Sequence, residues 1–530
     1  MCGVIGVVGV ENAARYAYIG LKNYLQHRGQ ESAGIRVYDG RGYGSKIGLG
    51  LVHAVMREDE AQHLRGNCSV GHVRYSTSGG LENAQPVING HLAVAHNGNH
   101  VNYHKALRVL RKDRGINWIG KEKSDTQVLT ELIATSSKDS IEDAIIESLS
   151  IAGPTYSLVI QYKDNLYVAR DPRENRPLYI GNFKEGYAVA SEERCLRMMG
   201  ASEIEGVAGG KLIVLGSDSR KEIDFAQASP KRCAFEELYF AHPGERGEPD
   251  PQLFGKYIRE MRVNAGMRLA REHPSKADLI IPILNSGYYA GIGYSIGSGV
   301  PLSVAALERV PGYIKRTFIE PTTTQRIIGV YMKFKGNKEA VVGQRVGLVE
   351  DTIVRLTTSS GLVQILRRAG AQAIDFRVAA PPIRWPCFYG VDFPERKELM
   401  AARLTVKEIE QYLRLRHFGL FDDRSHLIQL VRGKVLTLED YQKIVHKSIK
   451  KNMNYLVQAG YEVNVDNLDL DSFTLGYLSF EGMLESMGMD PSEYCLACFS
   501  HGENDNKIPL QDRYWDIDIK QKWFRQALKV

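Results

Sequence analysis

The chain of 530 residues has no uninterrupted apolar run near the roughly 20 residues that span a bilayer, which speaks against a helical membrane span. It lacks a basic leader ahead of its apolar start, Met-Cys-Gly-Val-Ile-Gly-Val-Val-Gly-Val, so that start reads as a first strand and not as a secretory signal. It lacks an even, closely spaced set of cysteines. Seven cysteines in so long a chain suit reduced thiols, a nucleophile or a metal site better than a disulfide framework, and they imply a cytoplasmic location. It also lacks a dense run of one charge: 68 Lys and Arg stand against 62 Asp and Glu, spread along the chain, with only short clusters such as Lys447–Lys451. A net charge of +6 distributed in this way describes a solvated mixed surface, not one built for nucleic acid. Internal repeats and low-complexity tracts are absent as well.

What is present is an ordinary globular composition, 43% hydrophobic and 25% charged, in a chain long enough for two or three domains. Up to about residue 228, short alternating runs (Cys2–Val10, Leu92–His96, Ser157–Tyr162, Ala188–Ser191) predict a largely antiparallel α+β layered domain, residues 1–228. From 229 to 414 strands alternate with helices, as in a parallel sheet with crossovers. Two strands stand out there. Ala277–Ile283 leads through Asn285-Ser286-Gly287 into a helix, and Arg345–Val349 leads into Glu350-Asp351 and a Thr/Ser-rich turn. Ser359 is placed to cap the next helix, with Leu362, Ile365 and Leu366 at core-facing spacing. Residues 415–470 form a helical insertion. Thr437 caps a helix there whose stripe of Tyr441, Ile444, Val445, Ile449, Met453, Leu456 and Val457 ends at Gly460. Packing on its own domain is the plainer reading of that stripe; contact with a partner or a second copy is the other. Residues 471–530 form a C-terminal segment.

A cysteine at position 2, exposed once Met1 is removed, has its own α-amine beside its thiol as a general base. Alone it would be an incidental thiol, but four motifs accompany it in the same domain: His27-Arg28-Gly29-Gln30-Glu31-Ser32-Ala33-Gly34, Gly71-His72-Val73-Arg74-Tyr75-Ser76-Thr77, His96-Asn97-Gly98 and Ser124-Asp125-Thr126. Each supplies a group that glutamine hydrolysis needs. Arg74 can pair with the substrate carboxylate and Asp125 with its ammonium. The Asn97 side chain and the Gly98 N–H can hold a tetrahedral oxyanion. These motifs resemble class II glutamine amidotransferases of the N-terminal nucleophile hydrolase fold, a four-layer αββα architecture. The resemblance implies Cys2 as nucleophile, Asn97 and Gly98 as the oxyanion hole, and Arg74 and Asp125 as the glutamine site.

The second half carries Val349-Glu350-Asp351-Thr352-Ile353-Val354-Arg355-Leu356-Thr357-Thr358-Ser359, then Pro381-Pro382-Ile383, Pro386-Cys387-Phe388-Tyr389-Gly390, Arg316-Thr317-Phe318-Ile319 and Gly476-Tyr477-Leu478-Ser479. These are similar to the type I phosphoribosyltransferase domain, an α/β fold with a parallel sheet, of the amidophosphoribosyltransferase family. An acidic pair at a strand end can hold ribose hydroxyls, and a Thr/Ser turn at a helix start can cradle phosphate. The resemblance therefore implies a phosphoribosyl site of Ser286, Glu350, Asp351, Thr352, Thr357, Thr358 and Ser359. It also implies formation of phosphoribosylamine from phosphoribosyl pyrophosphate with Mg2+ for purine synthesis, in a homo-oligomer, a tetramer.

Three departures leave a second reading open, in which the ammonia goes to a different acceptor or the domain only binds or regulates. Glu350 replaces an aspartate of the family's motif. Leu356 replaces a glycine, where leucine would crowd an anion or sit badly at positive φ. The loops Leu284-Asn285-Ser286-Gly287 and Val310-Pro311-Gly312 lack family residues, leaving only Arg309 and Lys315 as nearby cations.

Cys495-Leu496-Ala497-Cys498 is a C-x-x-C pair, ambiguous between metal, redox and chance. In cluster-bearing members of the family, cysteines in contexts matching Cys233, Cys387, Cys495 and Cys498 ligate a four-iron four-sulfur cluster. The resemblance thus implies a [4Fe-4S] cluster, with zinc as the alternative for the same quartet. Cys68 and Cys195 have no such context and read as packing residues.

Overall fold

The alternating runs of the first part pair into two antiparallel sheets. One has the spatial order Ser202–Gly206, Tyr179–Phe183, Gly186–Ala190, β1 (Gly3–Val8), β2 (Cys68–Arg74), Ser32–Tyr38, Tyr43–Leu49; the other runs Arg220–Asp224, Lys211–Leu215, Asn165–Arg170, β4 (Tyr156–Tyr162), β3 (Leu92–Gly98), Val87–Asn89. The structure, a computed structural model, describes residues 2–75, 80–118, 123–245, 257–310, 323–391, 398–420, 424–458 and 468–499. Ser76, Thr77, Pro311, Gly312, Lys315, Arg316–Ile319 and Gly460 lie outside them.

Side chains alternate across β1 and bury both of its faces. Val4 and Val8 enter the core between the sheets with Ala93, Ala95 and Val159, while Ile5 and Val7 pack outward beneath the helix Ala13–Ile19. β3 divides the same way: Ala93 and Ala95 face the other sheet, and Leu92 and Val94 meet the helices Tyr103–Asp113, α1 (Asp125–Ala134) and Ile141–Ala152. A strand buried on both faces reads as a nearly continuous apolar run, and each such Val, Ile or Leu contributes about 1.5–3 kcal/mol. Helices outside two stacked sheets make the expected four-layer αββα arrangement. The sheets close so tightly that a Cβ at Gly6 would stand 2.7 Å from Val159 and 2.8 Å from Leu166.

The second half contains a parallel sheet in the order β5 (Leu279–Pro282), β6 (Arg345–Glu350), β7 (Ala373–Val378), β8 (Phe473–Tyr477). Ile258–Glu272 and Tyr288–Ser298 cover one face through Met261, Leu269, Ala290 and Tyr294. On the other face α2 (Thr357–Arg368) contributes Leu362 and Leu366 to a core shared with Ile281 and Leu348. The insertion joins that core. α3 (Leu438–Gln458) is capped by Thr437, whose Oγ1 accepts from Asp440 N at 3.2 Å, and it buries Tyr441 and Val445 beside Leu413, Phe418 and Phe473. The stripe therefore packs on its own domain as far as Val445.

Two expectations need correction. Ser359 does not cap α2: the helix begins at Thr357, after Leu356 at φ 59° and ψ −1°, and Ser359 is a buried residue inside its first turn. Leu356 does take the positive φ that suits glycine, but its side chain is 2% exposed and belongs to the core of Ile353, Val330 and Leu362. The cost of leucine there is backbone strain of about 1–2 kcal/mol, set against the burial of a large apolar side chain.

Candidate active site

Cys2 precedes β1, and the register Gly3↔Val73 between β1 and β2 brings it opposite Arg74. Its carbonyl accepts from Arg28 Nε at 2.9 Å and its Sγ accepts from Tyr75 N at 3.5 Å, so main chain and thiol are both held. Arg28 is fully buried between the carboxylates of Glu192 and Glu236, at 2.8 and 2.6 Å. Across the two sheets, the His72 ring nitrogen Nε2 meets the His96 carbonyl at 3.1 Å. Two residues further along each strand come Arg74 and Gly98, which therefore end at the same edge of the sandwich. Arg74 ion-pairs with Glu31. Sequence reasoning missed that partnership, although Glu31 lies inside the first motif.

The oxyanion candidates have a geometry that the strand pairing explains. Asn99 and Thr155 exchange both backbone hydrogen bonds at 2.9 Å. Antiparallel pairs alternate, so the neighbouring pair Gly98↔Tyr156 is non-hydrogen-bonded and Gly98 N–H points away from β4. His96 N–H points the same way and is taken by Gln85 Oε1 at 2.7 Å. Asn97 is 1% exposed, and its Nδ2 has no hydrogen-bond partner among the described residues. A buried donor left in that state costs about 1–3 kcal/mol, which is a reason to expect an acceptor to arrive.

Asp125 is the first residue of α1, where Ser124 and Gln127 form a reciprocal cap (Gln127 N to Ser124 Oγ, 3.2 Å; Ser124 N to Gln127 Oε1, 2.9 Å). Its carboxylate accepts from His100 N at 3.2 Å and Thr126 N at 2.7 Å. Burial works against its ionisation, but the neighbouring His96 and His100 with these N–H groups hold it below the ordinary range. His96 and His100 stack with ring centroids 4.5 Å apart, and burial lowers the proton affinity of both, His100 to about 4. Gln85 Nε2 and His96 Nδ1 both meet Thr126 Oγ1 at 3.1 Å, tying the end of β3 to the start of α1. Neither Gln85 nor His100 was singled out from sequence, since an isolated polar residue carries no motif.

In the second half one cavity, at the carboxyl ends of β5 and β6, is lined by all seven expected residues: Ser286, Glu350, Asp351, Thr352, Thr357, Thr358 and Ser359. This is where open α/β sheets place ligands. Burial and the adjacent Asp351 push Glu350 well above the carboxylate range. Thr352 Oγ1 donates to Asp351 Oδ1 at 2.7 Å, and Thr357 Oγ1 and Asp351 Oδ2 have no hydrogen-bond partner among the described residues. The cavity is also lined by Lys333 and Arg355, the latter ion-paired with Glu398 at 2.6 Å. This corrects the expected shortage of cations: Lys333 comes from the helix Thr323–Lys333, far from the altered loop in sequence.

The four cysteines gather in one neighbourhood. Cys233 pairs with Cys495 across a short parallel ladder, Cys498 O accepts from Arg384 N at 2.9 Å and Trp385 N at 3.1 Å, and Cys387 Sγ accepts from Tyr389 N and Val391 N at 3.3 and 3.4 Å. Burial, then the neighbouring thiols, push Cys495 up to about 12 and Cys498 well above the ordinary thiol value. Among the described residues no three His, Cys, Asp or Glu side chains form a group that could hold a metal ion. The donor set has the chemistry of a four-thiolate site, which suits a [4Fe-4S] cluster or a single zinc ion. All seven cysteines are free, with Cys68 and Cys195 fully buried packing residues.

Residues 72–198 match the family described as Glutamine amidotransferase domain. Amidophosphoribosyltransferase of Mycobacterium tuberculosis is 34% identical over 522 residues, covering 96% of this chain and 86% of its own. The chain belongs to the amidophosphoribosyltransferase family. The Bacillus subtilis amidophosphoribosyltransferase is 37% identical over 77% of this chain and 85% of its own, and a chloroplastic one of Arabidopsis thaliana is 39% identical over 78% and 72%. A solved structure of the glutamine phosphoribosylpyrophosphate amidotransferase of B. subtilis, complexed with ADP and GMP, superposes with a TM-score of 0.72 at 32% identity, over 94% of this chain and 96% of that one. As an amidophosphoribosyltransferase-family enzyme the chain is a glutamine amidotransferase, and its two halves are the nucleophile-hydrolase and phosphoribosyltransferase folds of that family. No helix among the described residues is long and apolar enough to cross a membrane.

Proposed function

We propose that the chain cuts ammonia from glutamine at Cys2 and delivers it to phosphoribosyl pyrophosphate, bound with Mg2+ in the second-half cavity, to make phosphoribosylamine for purine synthesis. Arg74 holds the glutamine carboxylate and Asp125 the ammonium. The Cys2 α-amine, freed by removal of Met1, takes the thiol proton as Sγ attacks the amide carbon. Asn97 Nδ2 and Gly98 N–H hold the resulting oxyanion, and the amine returns the proton to the departing ammonia. Water then hydrolyses the thioester to glutamate. In the second cavity ammonia attacks the anomeric carbon and pyrophosphate leaves, its charge met by Lys333, Arg355 and the Thr357-Thr358 turn. The observation that carries the glutaminase reading is the buried, unpartnered Asn97 Nδ2 beside a Gly98 N–H turned out of its ladder.

The test compares Cys2→Ala with the parent. Glutamate release should vanish while ammonium salts still drive pyrophosphate release; undiminished glutamate release from the folded variant would reject the assignment. The quartet Cys233, Cys387, Cys495 and Cys498 would hold a [4Fe-4S] cluster, which supplies a cross-link between three stretches distant in sequence. Zinc is the alternative occupant of the same quartet. A division into residues 1–228, 229–414, 415–470 and 471–530, assembly as a homo-oligomer (a tetramer) and a cytoplasmic location belong to the same proposal. The free thiols support the last, and light scattering tests the assembly.

A further inference from the structure

The segment that carries Cys387 does more than present a thiol. Phe388 O accepts from Asn99 Nδ2 at 2.8 Å. Tyr389 O accepts from Thr155 Oγ1 at 2.9 Å and from Arg176 Nε and Nη2 at 3.0 and 2.5 Å, and Arg176 is fully buried. Asn99 and Thr155 are the very pair whose two backbone hydrogen bonds fix the end of β3. Gly390, at φ 108°, lies directly on Gly98: a Cβ there would stand 2.8 Å from the Gly98 carbonyl carbon and oxygen and 2.9 Å from its Cα. Gly98 cannot retreat, since a Cβ on it would stand 2.2 Å from Thr155 O, which shows how closely the backbones already approach. The peptide offered to the oxyanion is thus clamped between β4 and a loop from the other half of the chain.

We propose that Phe388-Tyr389-Gly390 is a positioning element of the glutaminase site, contributed by the phosphoribosyltransferase half, which holds the Gly98 peptide in register for the oxyanion. This rests on the assignment of Gly98 as an oxyanion donor. The hydrogen bonds of Phe388 O and Tyr389 O run to Asn99, Thr155 and Arg176, residues assigned to neither the carboxylate nor the ammonium of glutamine, so the expected role lies in turnover and not in glutamine affinity. A misplacement of about 1 Å at a reacting centre costs up to about a hundredfold in rate.

The test is Gly390→Ala in the full-length enzyme, with Thr155→Val as the milder variant that removes one donor to Tyr389 O. Gly390→Ala should lower glutamine-dependent kcat by about tenfold to a hundredfold. KM for glutamine and inhibition by glutamate should stay within about twofold, and ammonium-driven pyrophosphate release should be unchanged. Thr155→Val should show the same split at about twofold to tenfold, the size of one neutral hydrogen bond. Glutamine-dependent kcat within twofold of the parent in Gly390→Ala, or a matching loss of ammonium-driven turnover in Thr155→Val, overturns the proposal. If Gly390→Ala fails to fold, Thr155→Val decides alone, and an unchanged kcat in it refutes the clamp. Cys2→Ala run alongside separates the two levels: persistent glutamate release there means the glutamine site itself is misassigned, whereas its loss confines any failure to the clamp.

Discussion

Replacing Asn97 by alanine sets function against stability in a way few site residues allow. Asn97 is 1% exposed and its Nδ2 has no hydrogen-bond partner among the described residues. Loss of one oxyanion donor typically costs about 2.7–4 kcal/mol at the transition state, or 10²–10³ in kcat. In the resting fold the same donor is a liability of about 1–3 kcal/mol, so its removal offsets the small cavity that the truncation leaves. Asn97→Ala should therefore lose two to three decades in the glutamine-dependent kcat with KM for glutamine changed by less than about threefold, because the carboxylate and ammonium partners remain. Its melting temperature should equal or exceed that of the parent. Ammonium-driven pyrophosphate release should be untouched. Coupled glutamate dehydrogenase and pyrophosphate assays, with scanning fluorimetry on the same preparation, read all three. A kcat within about threefold of the parent would show that the orphaned amide has no oxyanion to meet. A marked fall in melting temperature would show that Nδ2 already has a structural partner.

Lys333→Met should raise KM for phosphoribosyl pyrophosphate by about tenfold or more in the ammonium-driven reaction, the size of a hydrogen bond to a charged group; an unchanged KM would remove Lys333 from the site. Leu356→Gly relieves about 1–2 kcal/mol of left-handed strain but empties a buried leucine worth about 2–5 kcal/mol, so it should destabilise while leaving that KM alone. A tenfold fall in KM would instead mean that the side chain obstructs the phosphate. Burial holds His72 and His417 neutral to about 3. Because the unfolded chain protonates first, stability is lost as pH falls below about 6.5, by about 2 kcal/mol for each at pH 5; a melting temperature that is flat from pH 7 to 5 contradicts this. Protein purified without oxygen should be brown with about four irons per chain. One zinc and no iron would replace the cluster by a structural zinc, and in either case serine at any one of the four positions should lower the melting temperature.

The two layers of strands were legible because their apolar alternation is local: β1 and β3 each show which residues face the partner sheet and which face helices. The glutaminase motifs were legible for a related reason. Each sits at a strand end or a helix start, so a short run of sequence contains both the functional group and the backbone that aims it. What stayed hidden is whatever a single motif does not contain. Glu31 as the partner of Arg74 and Gln85 as the partner of Thr126 join residues 43 and 41 positions apart, and the His96–His100 stack forms only where the chain turns at the end of β3.

The second cavity shows the same limit from the opposite side. Reading Leu356 as an obstruction assumed that a side chain at the phosphate turn must point at the phosphate. The backbone instead takes the left-handed conformation that glycine would take, and the leucine turns into the core with Val330 and Leu362. Reading the altered loop at Val310 as a loss of charge assumed that cations must come from the segment that usually brings them. Lys333 enters from a different helix and faces Glu350, whose raised affinity for a proton it moderates. A substitution at a motif position thus predicts a loss of function only when two further facts hold: the new side chain occupies the ligand's space, and no other element restores the lost charge. Neither fact is visible in the motif: Leu356 lines the cavity while its side chain is buried in the core, and Lys333 brings a cation from another helix. Phosphoribosyl pyrophosphate chemistry therefore remains the reading this cavity supports, even though its signature is written in altered residues.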